Sequence, residues 1–134
     1  LLDVASMWVL AQEMEAAGVP SDHIWEQPGK WNTPPDVLAR WIELAASGLA
    51  HATLSAAALV EIEAVVIDGW MPVAVRAEIV RRTEKILMSL DLAGIDPPAI
   101  REGTVGADAR ALGAAAIPLS QRYLLDQNAQ SREG

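Results

Sequence analysis

The chain has 134 residues, the size of one domain or of part of a larger one. It is half hydrophobic and contains no cysteine, which predicts an ordered globular chain without disulfides, thiolate zinc sites or a cysteine nucleophile. The net charge of −8 argues against direct contact with nucleic acid, because phosphate binding needs basic residues gathered on one face.

The hydropathy of the chain and the residues at its start bear on the cellular location of the protein. No run approaches the roughly eighteen apolar residues of a membrane-spanning helix, and the N-terminus lacks the basic region of a signal peptide. With the absence of cysteine, this predicts a cytoplasmic protein without a membrane partner. The chain starts at Leu1-Leu2-Asp3 in an apolar register, so we expect a fragment of a longer protein.

A first helix is predicted from Ser6, as N-cap, to about Ala17, with Gly18 as its stop. Its inward face follows helical spacing and comprises Met7, Leu10, Ala11, Met14 and Ala17. Val19 to Asn32 is predicted to be an ordered connection pinned by its tryptophans. For Trp8, Trp25, Trp31 and Trp41, anchoring in the core is favoured over lining a sugar cleft.

A long helix is predicted from about Pro34 to Leu59, with Thr33 as N-cap and a proline at its first position. Its inward stripe comprises Leu38, Trp41, Ile42, Ala45, Leu49, Ala52 and Ala56. Gly48 and the alanines indicate that another element packs closely against its middle. His51 has no acidic or histidine partner four residues away, which favours a structural histidine over a metal ligand.

A strand, a helix and a second strand follow, over Ile62–Ile67, Val73–Leu90 and Ala99–Glu102. The apolar first strand is expected to be buried on both faces, in a parallel α/β sheet with a right-handed crossover. The inward face of the helix comprises Val75, Ile79, Thr83, Ile86, Leu87 and Leu90. Its basic residues alternate with glutamates and are predicted to form a solvated face; they are Arg76, Arg81, Arg82 and Lys85. Two strands do not make an independent sheet, so missing chain or another copy is expected to supply more.

Ligands of such sheets bind beyond the carboxyl ends of the strands, which points to Asp68, Gly69 and Trp70. Asp68-Gly69 could support a phosphate or an adenosine by close backbone approach, or it could be an ordinary strand-to-helix turn. Gly103 to Gly106 could likewise be an anion loop at a helix N-terminus, or a plain turn. A last helix is predicted over residues 107–125, bent at Pro118, and residues 127–134 are predicted to be a frayed tail.

Three stretches carry a resemblance to a known family. Leu54 to Met71 is an Ala-rich helix running into a strand and then Ile-Asp-Gly, and Gly103 to Leu119 contains Leu-Gly-Ala-Ala-Ala-Ile-Pro-Leu. The third is Leu1 to Ser6, Leu-Leu-Asp-Val-Ala-Ser. Together they resemble the carboxy-terminal lobe of the ROK family, which comprises repressors, open reading frames and sugar kinases.

The resemblance implies an α/β fold, a helix-rich partial lobe of the actin-like (ribonuclease H-like) ATPase fold with a short parallel sheet. Residues 1–126 would form this lobe. The family's amino-terminal lobe, phosphate loop, catalytic aspartate and zinc ligands would precede Leu1. This piece would therefore hold no catalytic residue and no metal, and zinc and ATP would require the upstream chain.

The sequence also departs from the pattern of the family's sugar kinases. Their usual Gly-Gly pair is replaced by Asp68-Gly69, followed by the bulky Trp70, so the nucleotide-loop position formed by these three residues looks degraded. Leu2 matches the position where a sugar-binding glutamate is usual. A carboxylate and an indole should hinder a nucleotide phosphate by charge and bulk.

Three hypotheses follow. The first is the effector-sensing and oligomerisation lobe of a sugar-responsive ROK-type transcriptional regulator. Its partners would be its own copies, the missing amino-terminal lobe and a small sugar-like effector. The second is a fragment of an ATP-dependent ROK sugar kinase resembling a glucokinase, and the third is an interaction domain that binds no ligand.

Overall fold

The computed structural model describes residues 1–108. Its helices are α1 (Leu2–Ala5), α2 (Met7–Ala16), α3 (Asp22–Glu26), α4 (Pro35–Ala57) and α5 (Val73–Ser89). Its strands are β1 (Ala64–Ile67) and β2 (Ala99–Glu102), and a 3₁₀ turn spans Gly106–Asp108. The predicted last helix lies beyond the described residues from position 109 onward, and the predicted tail lies wholly outside them.

The two strands form a parallel sheet joined through α5. Ala64 is in register with Ala99, and Ile67 is in register with Glu102. This confirms the predicted strand–helix–strand unit, although β1 begins two residues later than expected. The described residues therefore have an α/β architecture with a short parallel sheet.

One face of the sheet is buried and the other is open. Ile67 and Ile100 are 7% and 8% exposed and share a core with Val75 and Ile79 of α5, whereas Val66 is 62% exposed. Successive side chains of a strand point to opposite faces, and α5 covers only one of them. The expectation that β1 is buried on both faces is wrong for the described residues.

The core lies between α4, α5 and the helices of the N-terminal region. The buried side chains of α4 are Val37, Trp41, Ile42, Ala45, Ala46, Ala50 and Thr53. Trp41, Ile42 and Ala45 of the predicted stripe are buried. At three other predicted positions a neighbouring residue is buried instead: Val37, Ala50 and Thr53 are buried, whereas Leu38, Leu49 and Ala52 are only half-buried. Both α1 and α5 pack against α4, so its buried surface is wider than a single stripe.

The tryptophans divide into two groups. Trp41 is 1% exposed, its indole N–H donates to the Ser6 carbonyl at 3.1 Å, and Trp31 packs edge-on against it at 6.0 Å. Trp8 and Trp25 are 61% and 47% exposed, so the prediction that they anchor the core is wrong. Trp8 lies on α2 outside the face formed by Leu10, Ala11 and Met14.

The start of α2 agrees with expectation, and the start of α4 differs from it. Ser6 is the N-cap residue of α2 as predicted, but its side chain makes no capping hydrogen bond. Pro34, not Thr33, is the N-cap residue of α4, and the Thr33 hydroxyl donates to the Met14 sulfur at 3.6 Å. The short helices α1 and α3 fall where no helix was predicted.

Gly48 provides the expected close approach. A Cβ added to this residue would lie 2.6 Å from Val4 Cγ2, so α1 rests directly on the α4 backbone. His51, further along α4, is exposed and its Nδ1 lies 2.8 Å from the Ser47 carbonyl oxygen. This contact within one helical turn agrees with the prediction that His51 is a structural residue.

Candidate functional site

The carboxyl ends of β1 and β2 meet at one edge of the sheet. Asp68 and Gly69 follow β1 directly, and the loop Gly103–Gly106 follows β2. Gly69 has φ +151°, a conformation that favours glycine. The two stretches that the sequence indicates separately are therefore neighbours in the structure.

The Asp68 carboxylate joins them by accepting backbone hydrogen bonds. Oδ1 accepts from the N–H groups of Gly69 at 2.8 Å and Gly106 at 3.0 Å. Oδ2 accepts from those of Val105 and Gly106, both at 3.0 Å. The amides of the candidate anion loop thus already bind an anion, and that anion is a side chain of the same chain.

Arg76 completes the arrangement. It lies in the first turn of α5, and its Nη1 donates to Asp68 Oδ1 at 3.1 Å while its Nε lies 3.5 Å from Glu102 Oε2 at the end of β2. Arg76 is 8% exposed, so its predicted place on a solvated face is wrong. A buried guanidinium needs partners, and these two carboxylates supply them. We call Asp68, Arg76, Glu102 and the amides of Val105 and Gly106 the carboxylate clasp.

The clasp lowers the pKa of the Asp68 carboxyl. The N–H of Gly106 contributes most, those of Gly69 and Val105 and the charge of Arg76 act in the same direction, and burial opposes them. The group is therefore ionised at neutral pH, and its oxygens are occupied by donors. A carboxylate held in this way is a structural acceptor and a poor general base.

Gly103 is also part of the site, although the sequence patterns did not single it out from its loop. It is buried, and its N–H donates to the Ile67 carbonyl at 2.8 Å. A Cβ at this position would overlap the Asp68 side chain. Glycine is therefore required for the carboxylate to reach the loop. No local pattern in the sequence distinguishes Arg76 from the other basic residues of α5.

A cleft of about 540 Å³ opens beside the clasp. It is lined by Pro28, Gly29, Met71, Pro72, Val73, Ala74, Arg76, Thr104 and Gly106. Most of these residues are apolar, and Arg76 and Thr104 provide polar side chains. Trp70 is not among the lining residues, and its buried indole N–H has no partner within the described part of the chain.

Comparison of the chain with protein-family models, with curated proteins and with solved structures found no match. The resemblance to the ROK family therefore rests on the sequence motifs alone. Within residues 1–108, no group of three or more His, Asp or Glu side chains is placed to hold a metal ion. In the same range, no helix combines the length and apolar character needed to cross a membrane.

Proposed function

We propose that this chain is the carboxy-terminal lobe of a sugar-responsive transcriptional regulator of the ROK type. In this proposal the lobe helps to form an effector cleft and an oligomer interface, and it does no chemistry of its own. Contact with DNA would fall to another part of the protein, in keeping with the net charge of −8.

The observation that carries the proposal is the occupation of the loop amides by Asp68. A nucleotide phosphate at this strand end would meet a carboxylate of like charge, and the amides of Val105 and Gly106 would have no free N–H to offer it. Both effects weaken phosphate binding. The sugar-kinase hypothesis requires this position to be open, so the clasp favours the regulator.

The cleft beside the clasp supports an effector of small size. Its volume of about 540 Å³ lies within the usual range for small-molecule sites. Apolar walls from Pro72 and Val73 suit the ring face of a sugar, and the Thr104 hydroxyl and the Arg76 guanidinium can bond to its hydroxyl groups.

The experiment compares neutral sugars with Mg-ATP as ligands of the full chain. Thermal unfolding and amide-resolved NMR titrations would use a panel of hexoses, pentoses and N-acetylhexosamines, with Mg-ATP measured in parallel. We expect a sugar to raise the unfolding temperature and to shift the resonances of residues 71–76 and 104–106. Mg-ATP should do neither.

Two matched variants sharpen the comparison. Thr104→Val removes a hydroxyl that lines the cleft and should weaken sugar binding, whereas Ser89→Ala removes a distant hydroxyl and should not. Saturable Mg-ATP binding that shifts Gly69, Val105 and Gly106 would overturn the proposal in favour of a kinase fragment. A failure of every sugar to bind would favour the interaction domain.

A further inference from the structure

A second concave surface lies at the opposite end of the sheet. Because β1 and β2 are parallel, the connection from α4 into β1 and the connection from α5 into β2 meet at their amino ends, where the Ala99 N–H donates to the Glu63 carbonyl at 3.0 Å. Between these connections lies a groove of about 440 Å³. We call it the amino-end groove; the residues that line it include Leu59, Val60, Glu61, Glu63, Ile95 and Asp96.

The groove combines apolar anchors with an acidic rim. Leu59 is 84% exposed and Val60 is 60% exposed, and the two adjacent residues follow the end of the long helix α4. Glu61, Glu63 and Asp96 bring three carboxylates, and none of them forms an ion pair within residues 1–108. Within residues 1–108, no basic residue lines the groove.

The end of α4 adds to the negative potential. The carbonyl groups of its last turn carry the negative end of the helix dipole, and that turn contains no basic residue. Adjacent exposed aliphatic side chains, rimmed by uncompensated charge of one sign, are typical of a protein–protein contact.

We propose that the amino-end groove binds a basic segment of a partner protein. An apolar side chain of that segment would pack on Leu59 and Val60, and its lysines or arginines would pair with Glu61, Glu63 and Asp96. A second copy of this chain is a poor occupant, because an isologous contact would place these carboxylates opposite one another. This proposal does not depend on the proposed effector site, which lies at the other end of the strands.

The test uses a defined probe and the full chain. The probe is a fluorescein-labelled synthetic helix with leucines on one face and lysines on the other, and its control has glutamate in place of each lysine. Binding is measured by fluorescence anisotropy and located by amide NMR shifts. We expect the lysine peptide to bind and to shift residues 59–63 and 95–97, and the glutamate peptide not to bind.

Matched variants separate a defined groove from general attraction to an acidic protein. Leu59→Ser should weaken binding by about fivefold or more, because an interface anchor is lost. Met88→Ser removes another apolar residue, 60% exposed on α5, and should leave binding unchanged. Glu61→Gln and Glu63→Gln should each weaken binding by about twofold to fivefold, and Glu84→Gln should not.

Three results would overturn the proposal. If Glu61→Gln and Glu84→Gln weakened peptide binding equally, the binding would depend on the overall charge of the protein and not on the groove. If the lysine and glutamate peptides bound equally well, the acidic residues of the rim would not contribute to binding. Loss of self-association in Leu59→Ser, without any peptide binding by the unaltered chain, would assign the groove to a second copy.

Discussion

The residue that connects most of the site is Asp68, because its carboxylate bonds to three backbone amides and to Arg76. We expect Asp68→Asn to destabilise the chain, since the Asn NH₂ group would face N–H donors where an oxygen now accepts. Denaturant midpoints measured at neutral pH would show the effect. The control is Asp96→Asn, which removes the same charge from an exposed loop. Equal midpoints for the two variants would show that the clasp does not stabilise the fold.

Single residues also mark the limit of prediction from sequence. Position alone indicated Asp68 and Gly69, because the carboxyl end of a strand is recognisable from an apolar run followed by Asp-Gly. The partners were not recognisable. Arg76 reads as one more basic residue of a charged helix, and its burial depends on where Glu102 lies, 26 residues further along the chain. A contact across that separation leaves no local pattern.

Among the secondary-structure elements, α4, α5, β1 and β2 were predicted because each has a periodic apolar pattern or a clear start signal. The short helices α1 and α3 have four and five residues and carry too few positions for a period to be read. The open face of β1 was missed for a different reason. A short apolar strand can have the same sequence whether one face or both faces of its sheet are covered. Whether the second face is buried is therefore decided by the rest of the fold and not by the strand itself.

The contact between α1 and α4 depends on the absence of a side chain at Gly48. Because alanine has a higher helix propensity than glycine, Gly48→Ala taken alone should raise the free energy of unfolding by about 1 kcal/mol. Its methyl group would lie 2.6 Å from the stiff Val4 side chain, and relieving that overlap should cost about 1–3 kcal/mol. We expect a net loss in the free energy of unfolding. The same change made in a Val4→Ala background should stabilise, and chemical denaturation of all four chains would measure the coupling. Equal effects in both backgrounds would show that α1 does not rest on Gly48.

Helix α5 carries an ion-pair cluster that makes stability depend on pH. Hydrogen bonds from Arg81 and then Arg82 lower the pKa of Glu78 from 4.5 to about 2. As the pH falls, Glu78 is protonated in the unfolded chain before it is protonated in the folded chain. The ion pairs of Glu78 therefore contribute their full stabilisation only above pH 4.5, the pKa of an unperturbed glutamate. This stabilisation is lost as the pH falls from 4.5 through about 2.

Glu78→Gln should therefore lose less stability than the unaltered chain between about pH 5 and about pH 3. The difference should not exceed about 1 kcal/mol and should shrink in high salt, because the pairs are partly exposed. Urea unfolding at each pH would measure it. Glu84→Gln, on the same helix, is the control, since Glu84 makes no ion pair within the described residues. Parallel pH curves for Glu78→Gln and the unaltered chain would contradict the assignment.

At the scale of the whole molecule, the two ends of the sheet have different chemistry. The carboxyl end has its anion-binding amides filled by Asp68 and a cleft beside them, whereas the amino end is acidic with exposed aliphatic residues. Parallel strands bring each pair of connections together, so a short β–α–β unit creates both surfaces. In the proposed regulator, effector binding and partner contact would use opposite ends of the same two strands.

The open face of the sheet supports the proposed oligomer interface. Val66 is 62% exposed and lies in register with the exposed Arg101, and the described residues supply only two strands. Covering Val66 with a second copy would bury an apolar side chain that is otherwise in water. We expect the chain to self-associate, and Val66→Lys to weaken the association by at least about tenfold, since the contact would then bury an ammonium group. Met88→Lys introduces the same charge at a residue 60% exposed on α5 and should leave association unchanged. Sedimentation velocity over a concentration series would distinguish them, and equal association of both variants would place the interface elsewhere.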